Sequence, residues 1–381
     1  MSPRPDVSRR RFLVQSASLA GAGLGTNALA QASGQATDEV RIGIVGLGDR
    51  GMQLLSTLRM LPNVRITALS DIHPERLKKG LDVAHRHGNV RGHTDARPLL
   101  EHREVDAVVI ATPVWLHASQ TLAALENGKH VYCEKPIGLD AGECVAVLAA
   151  AKRAEDRGQI YQSGFQRRYN PRYRASLEHL SSGEPGSVRF IRAQWHAVGS
   201  SRKDKPWLGR RGQSGDIVVE QACHQFDVFH WVFDAMPERA VGLGGAFGHD
   251  GVPGRDVLDH YGAVLEFPGG AKVQLSHLQF SVPDRRFAGI YELAFCENGA
   301  VDLANALAWD RSGKTRHLAY ESGNETQIAL ASFIDCVRTR RRPLADAAVA
   351  YRATLSALLC RRALELSRPV SIDEIVPRGA A

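Results

Sequence analysis

A glycine turn between two patterned segments limits this chain to very few folds. Gly46-Leu47-Gly48-Asp49-Arg50-Gly51 follows the β-branched run Val40 to Val45 and precedes an apolar series, Met52, Leu55, Leu58 and Leu61. The first run reads as a buried strand and the second as an amphipathic helix, which Pro62-Asn63 stops. A further strand, Val64 to Leu69, leads to Asp71, 20 residues beyond Gly51. In that setting each glycine has a task. Gly46 permits the tight turn, Gly48 lets the backbone approach a pyrophosphate, and Gly51 lets the helix pack closely on the strand. The helix N-terminus, with Asp49 and Arg50 in its first turn, faces the phosphates. Asp71 would accept hydrogen bonds from ribose hydroxyls, which favours NAD, and nearby Arg76 leaves NADP open.

The alternation continues. Val105 to Ala111 reads as a strand closed by Thr112-Pro113, and a helix runs from Leu116 to Asn127. His130 to Cys133 is a strand closed by Glu134-Lys135-Pro136, and Ala141 to Arg157 a further helix. This order predicts a parallel, doubly wound α/β sheet, with its ligand beyond the C-terminal strand ends. Thr112, Pro113 and Glu134 are thereby placed at the cofactor.

The remaining composition narrows the class. With 381 residues, two or three domains are expected. The net charge is +7, of which residues 1–30 carry +3, through four arginines against Asp6. The +4 left over is too mild to indicate nucleic acid. No apolar run reaches the ~18 residues of a membrane-spanning helix. The six cysteines are scattered without a CxxC pair, which argues against a disulfide framework or zinc ribbon. Ser8-Arg9-Arg10-Arg11-Phe12-Leu13, an Ala- and Gly-rich stretch to Gly25, and Ala28-Leu29-Ala30 resemble a twin-arginine (Tat) export signal over residues 1–30. A polar linker over 31–38 follows. The expected location is periplasmic or secreted.

Ala111-Thr112-Pro113, Leu116-His117, Gly128-Lys129-His130-Val131 and Cys133-Glu134-Lys135-Pro136 together resemble the glucose–fructose oxidoreductase, inositol dehydrogenase and MocA-like (Gfo/Idh/MocA) family. The resemblance implies an NAD(P)-binding Rossmann domain, here residues 39–160. It also implies a C-terminal α+β domain with an open-faced, mostly antiparallel sheet, here 161–381. It implies oxidation or reduction of a hydroxyl-bearing carbon of a sugar or polyol, a homo-oligomer formed through the open sheet, and a Lys135-Pro136 bond that is often cis. Lys135 would hold the reacting hydroxyl, and His117 either touches the nicotinamide or makes a structural hydrogen bond.

In the second domain, Arg167, Arg168 and Tyr169 match a stretch near the family's substrate. Glu220, His224 and Asp227 follow i, i+4, i+7 spacing, so one face of a buried helix is expected to carry all three. The resemblance implies His224 as general base, with Glu220 orienting it or contacting a substrate hydroxyl. The family most often has Asp where Glu220 stands, and Glu lengthens the reach by a methylene. A carboxylate and an imidazole one turn apart could instead bind a metal, although no metal is assigned. Trp195, Trp207, Arg210 and Arg211 are sugar-site candidates, and Asp259-His260-Tyr261 opens a strand that could reach the pocket. Strands are expected at 187–196, 239–247, 260–267, 271–280 and 289–296, and a last helix from Ala345 to Ser367.

The leading expectation is an exported oxidoreductase on a sugar or polyol with a captive, internally recycled NAD. The alternatives are an NAD-dependent glycosidase or lyase working by transient oxidation, and a non-enzymatic sugar-binding protein.

Overall fold

The computed structural model describes residues 39–85, 88–199, 205–247 and 253–376. The expected export signal and linker lie outside the described residues. The first sheet forms because short β-branched runs, apolar on both faces, alternate with amphipathic helices. Its strands are β1 (Val40–Val45), β2 (Val64–Ser70), β3 (Arg91–His93), β4 (Ala107–Ile110), β5 (His130–Cys133) and β6 (Tyr161–Ser163). They lie parallel in the order β3-β2-β1-β4-β5-β6. β6 pairs with β5, so this sheet runs to Ser163, past the boundary expected at residue 160.

The second sheet has nine strands. They are β7 (Val188–Val198), β8 (Arg239–Gly245), β9 (His260–Glu266), β10 (Lys272–Ser281), β11 (Gly289–Cys296), β12 (Gly299–Asp302), β13 (Leu307–Asp310), β14 (Thr315–His317) and β15 (Val370–Ser371). Their order is β14-β13-β12-β11-β7-β10-β9-β8-β15. All pairs are antiparallel except the central β7–β10 pair, in register from Phe190 opposite Lys272. Period-two burial decides the faces. Tyr261, Ala263 and Leu265 on β9 and Val273 and Leu275 on β10 point inward. The helices Cys223–Phe233 and Ala347–Leu366 cover that face. Phe190, Leu243, Val264, Phe280 and Phe295 remain exposed.

Two returns of the chain join the domains. The helix Glu325–Thr339 buries Leu330, Phe333 and Ile334 in the Rossmann core. There Phe333 meets Tyr132 edge-on at 5.7 Å. Residues 161–381 are therefore not one separate body: part of that span completes the nucleotide domain. The last helix packs on both the helix Ala141–Glu155 and the second sheet. Among the described residues no helix is long and apolar enough to cross a membrane. All six cysteines are free.

Candidate active site

The glycine turn has the geometry its spacing predicts. Gly46 sits at φ +90°, and a Cβ there would lie 2.7 Å from the Ala111 carbonyl oxygen. A Cβ on Gly51 would come within 1.9 Å of the Gly46 oxygen, so the helix Asp49–Leu58 packs as closely as only glycine allows. Above Gly48 a Cβ would meet nothing within 4 Å. This open space at a helix N-terminus is what a dinucleotide pyrophosphate requires. The residues present fit that cofactor.

Around the turn, side chains hold the loop. Asp71, buried at the end of β2, accepts from the Leu47 amide at 2.7 Å and the His73 amide at 2.9 Å. It fixes the glycine loop and retains lone pairs for a ribose. Arg50 spans to the second half of the chain. It bonds Glu134 at 2.7 Å, Gln166 at 2.5 Å and Thr326 at 3.1 Å. The buried Glu134 carboxylate lies against Gly164, where a Cβ would come within 2.6 Å of it. Asp49 pairs with Lys205. Thr112 and Pro113 end β4 partly exposed, with Thr112 donating to Gln120 at 2.8 Å.

His117 is a structural histidine. Its Nδ1 lies 2.6 Å from the Pro136 oxygen and its Nε2 2.8 Å from the Thr112 oxygen. Both ring nitrogens face backbone carbonyls, one in the loop after β4 and one in the loop after β5, and the single N–H of the neutral ring donates to one of them. Of the two roles expected for His117, this is the structural hydrogen bond. Burial lowers the His117 pKa, against the pull of those two carbonyls.

At the end of β5, the Lys135–Pro136 peptide is cis. Lys135 donates to the Glu220 carbonyl at 2.6 Å and to its carboxylate at 3.0 Å. Burial alone would lower the Lys135 pKa, but Glu220, Cys223 and Glu134 reverse that and leave it raised. The ammonium therefore stays charged. His224 is shifted the other way. Desolvation first, then the cations Lys135, Arg167 and Arg50, push it well below its usual value. Its ring stacks on Trp195 (6.3 Å, 21°) and meets Phe165 edge-on at 6.0 Å. Its Nδ1 is buried without a hydrogen-bond partner among the described residues. A charged donor and a neutral acceptor thus stand together, the pairing that acid–base chemistry at neutral pH requires.

Not every expected site residue joins them. The helix expected to carry Glu220, His224 and Asp227 is broken. One segment ends at Glu220, Gln221 and Ala222 make a turn, and a second segment starts at Cys223. The i, i+7 relation therefore fails, and Asp227 faces the interior. There it accepts from Arg168 at 2.7 Å in a fully buried ion pair, with Arg168 also 5.1 Å from the Trp231 ring. Removing one partner of such a pair costs about 3–5 kcal/mol. Tyr169 is buried and accepts from the Ala345 amide. Arg168, Tyr169 and Asp227 are therefore spent on the core rather than on a substrate. Arg167 is intermediate in role. It bonds the buried Glu292 at 2.7 Å, yet lies 5.6 Å from the Trp195 ring and depresses His224.

Trp195 also stacks on His277 (5.7 Å, 11°), and His277 lies 3.0 Å from Gln221. Sequence patterning missed His277, Gln221 and Glu292, because inward positions on strands and turns give no local signal for polar side chains. Trp207 meets Trp115 edge-on at 6.1 Å. Arg210 bonds the Gly254 and Pro253 carbonyls, and Arg211 bonds Asp256, so both brace loops. Asp259 is buried against the Phe247 amide and His260, and Tyr261 is buried against His277. Among the described residues no three His, Cys, Asp or Glu side chains gather as a metal site.

A parallel dinucleotide sheet, a lysine–histidine pair at its C-terminal edge and a second, open sheet define a nicotinamide-dependent oxidoreductase architecture. Comparison with known proteins makes this specific. Residues 40–162 match the oxidoreductase family's NAD-binding Rossmann fold, and residues 173–294 match the Gfo/Idh/MocA C-terminal domain. The chain belongs to the Gfo/Idh/MocA family. It is 24% identical to the myo-inositol 2-dehydrogenase of Thermotoga maritima over 88% of this chain and 100% of that one. It is 27% identical to the 2,7-anhydro-N-acetylneuraminate hydratase of Escherichia coli, over 61% of this chain and 59% of that one. The fold is also that of scyllo-inositol dehydrogenase from Lactobacillus casei with bound NAD(H) and scyllo-inositol. That match has a TM-score of 0.72 and 19% identity, covering 88% of this chain and 99% of the other.

Proposed function

We propose that this chain oxidises a secondary hydroxyl of a cyclic polyol or sugar, with NAD held between Gly48 and the strand ends. The observation that carries this is the Lys135–His224 pair, one held cationic and the other held neutral. A bound NAD supplies the hydride-accepting carbon. His224 takes the hydroxyl proton on its neutral imidazole ring. Lys135 hydrogen-bonds the hydroxyl oxygen and stabilises the negative charge that develops on it. Glu220 holds the Lys135 ammonium in place and keeps it charged. The full-length likeness to an inositol dehydrogenase supports a polyol as substrate class. The test is a panel of inositols, sugars and glycosides mixed with NAD-loaded protein. Reduced cofactor is expected with at least one polyol, and H224A is expected to be slower by about a hundredfold or more. Wild-type protein that yields reduced cofactor with none of them overturns the reading.

The likeness to a hydratase favours one second reading, in which oxidation is transient and the net reaction eliminates or adds a group. Loss of an aglycone with no accumulation of reduced cofactor would select it. Export and capture of the cofactor belong to the same proposal. They are supported by Ser8-Arg9-Arg10-Arg11-Phe12-Leu13 and by the small-residue cleavage pattern at Ala28-Leu29-Ala30. Cell fractionation of wild type against R9K/R10K tests export, with retention of the variant in the cytoplasm expected. A homo-oligomer through the open sheet face is supported by exposed Phe190, Leu243, Phe280 and Phe295. Sedimentation of the wild type against L243E/F295E tests that.

A further inference from the structure

The segment Lys205–Gly209 comes from the second half of the chain, yet it touches the nucleotide domain at two places. Lys205 pairs with Asp49, in the first turn of the helix that follows the glycine loop after β1. Two residues on, Trp207 meets Trp115, in the loop after β4. In a sheet of this order a dinucleotide lies across the C-terminal ends of β1 and β4, its pyrophosphate at the glycine loop. The two contacts therefore stand on opposite banks of the cofactor groove. Gly48, above which a Cβ would meet nothing within 4 Å, directly precedes Asp49 on the glycine-loop side.

The segment is stiff and firmly tied at one end. It forms a 3-10 turn closed by Leu208 N–H to the Lys205 carbonyl at 3.0 Å and Arg210 N–H to the Trp207 carbonyl at 3.1 Å. Beyond it, Gly209 accepts from the Asp256 amide, Arg210 bonds the Pro253 and Gly254 carbonyls, and Arg211 bonds Asp256. Its contacts on the groove side are lighter. Asp49 is 83% exposed and Lys205 39%, so this ion pair is a weak latch, and the tryptophan edge contact is a single ring pair. One end is anchored and two contacts are releasable, which is the construction of a strap that opens and recloses.

We propose that Lys205–Gly209 is a strap across the NAD groove, latched by Lys205 on Asp49 and Trp207 on Trp115, and that it sets the rate at which the cofactor leaves. This rests on the reading that the chain binds NAD, and it goes further by naming what retains it. Neither latch contact involves Lys135 or His224, so its loss is read on cofactor release.

The experiment measures release of NADH from the loaded full-length protein, by fluorescence, after addition of excess unlabelled NAD. Losing an exposed ion pair is expected to speed release about two- to fivefold in K205A. Removing the ring contact is expected to speed it by up to about tenfold in W207A, while W207F, which keeps an aromatic edge, stays near wild type. Release from the wild type should quicken with added salt, and K205A should lose that dependence. Melting temperatures of the NAD-free variants should match wild type, which separates a strap from a merely structural contact. Release rates equal to wild type in both K205A and W207A overturn the strap. Wild-type protein that takes up no NADH at all overturns the proposed function instead.

Discussion

Two glycines in one turn are expected to fail in different ways when changed to alanine. At Gly51 a Cβ would stand 1.9 Å from the Gly46 oxygen. Gly46 cannot retreat, because its own Cα position already faces the Ala111 carbonyl, with a built Cβ at 2.7 Å and φ at +90°. The helix Asp49–Leu58 must therefore lift off β1, loosening Leu54, Leu55 and Leu58 in the core. Overpacking of this kind costs about 1–3 kcal/mol. At Gly48 the backbone is extended at φ −67°, which alanine adopts freely, and its Cβ would meet no protein atom. Stability of G48A should then stay within about 0.5 kcal/mol of wild type, or rise slightly, since alanine restricts the unfolded chain. What the methyl would occupy is the approach of the pyrophosphate. Losing one hydrogen bond to a charged group costs about 1.5–3 kcal/mol, or about 10- to 150-fold in NAD affinity. Chemical denaturation without NAD, paired with calorimetric NAD titration, separates the two. G51A should lose stability, and G48A should lose only affinity. A G48A protein that binds NAD as well as wild type would refute the placement of the pyrophosphate over Gly48.

Three further outcomes are expected. In E220Q the charge that offsets burial of Lys135 is gone, so the Lys135 pKa falls and the alkaline limb of kcat/KM moves to lower pH, read from a pH–rate profile. In the wild type, His224 must be neutral to accept a proton, and its pKa is depressed, so the acid limb of kcat/KM should lie below the usual histidine value of ~6.5. Buried His130, at about 4, and His230, at about 3, bind protons less readily folded than unfolded. At neutral pH neither state is protonated. As pH falls from ~6.5, the unfolded chain protonates first, so stability should drop by roughly 3 kcal/mol per histidine by about pH 4. Denaturant midpoints across that range check this, with a shallower fall in H130Q.

The nucleotide half was legible because its signals are local. Strand, glycine turn, helix and acid follow one another within a few dozen residues, and Gly46 and Gly51 answer contacts that backbone geometry alone imposes. Lys135 and His224 were legible through the motifs around them. Reading three residues on one helical face failed at Gln221-Ala222, where the chain turns between Glu220 and Cys223, a break that apolar spacing does not announce. Arg168 was singled out by the family resemblance of its stretch, and Asp227 by its spacing from Glu220 and His224. They pair with each other, 59 residues apart in sequence. His277, Glu292 and the return of Leu330 and Phe333 to the nucleotide core depend on contacts between distant segments, which no local pattern encodes.

The central claim is that His224 and Lys135 govern hydride transfer from a polyol to NAD bound at Gly48. It is tested most directly in the first turnover, by mixing NAD-loaded protein with myo-inositol carrying either protium or deuterium on its ring carbons. A burst of reduced cofactor is expected in the wild type, slowed by deuterium, and absent in H224A with NAD still bound. A burst indifferent to deuterium, or one that survives unchanged in H224A, would contradict the claim.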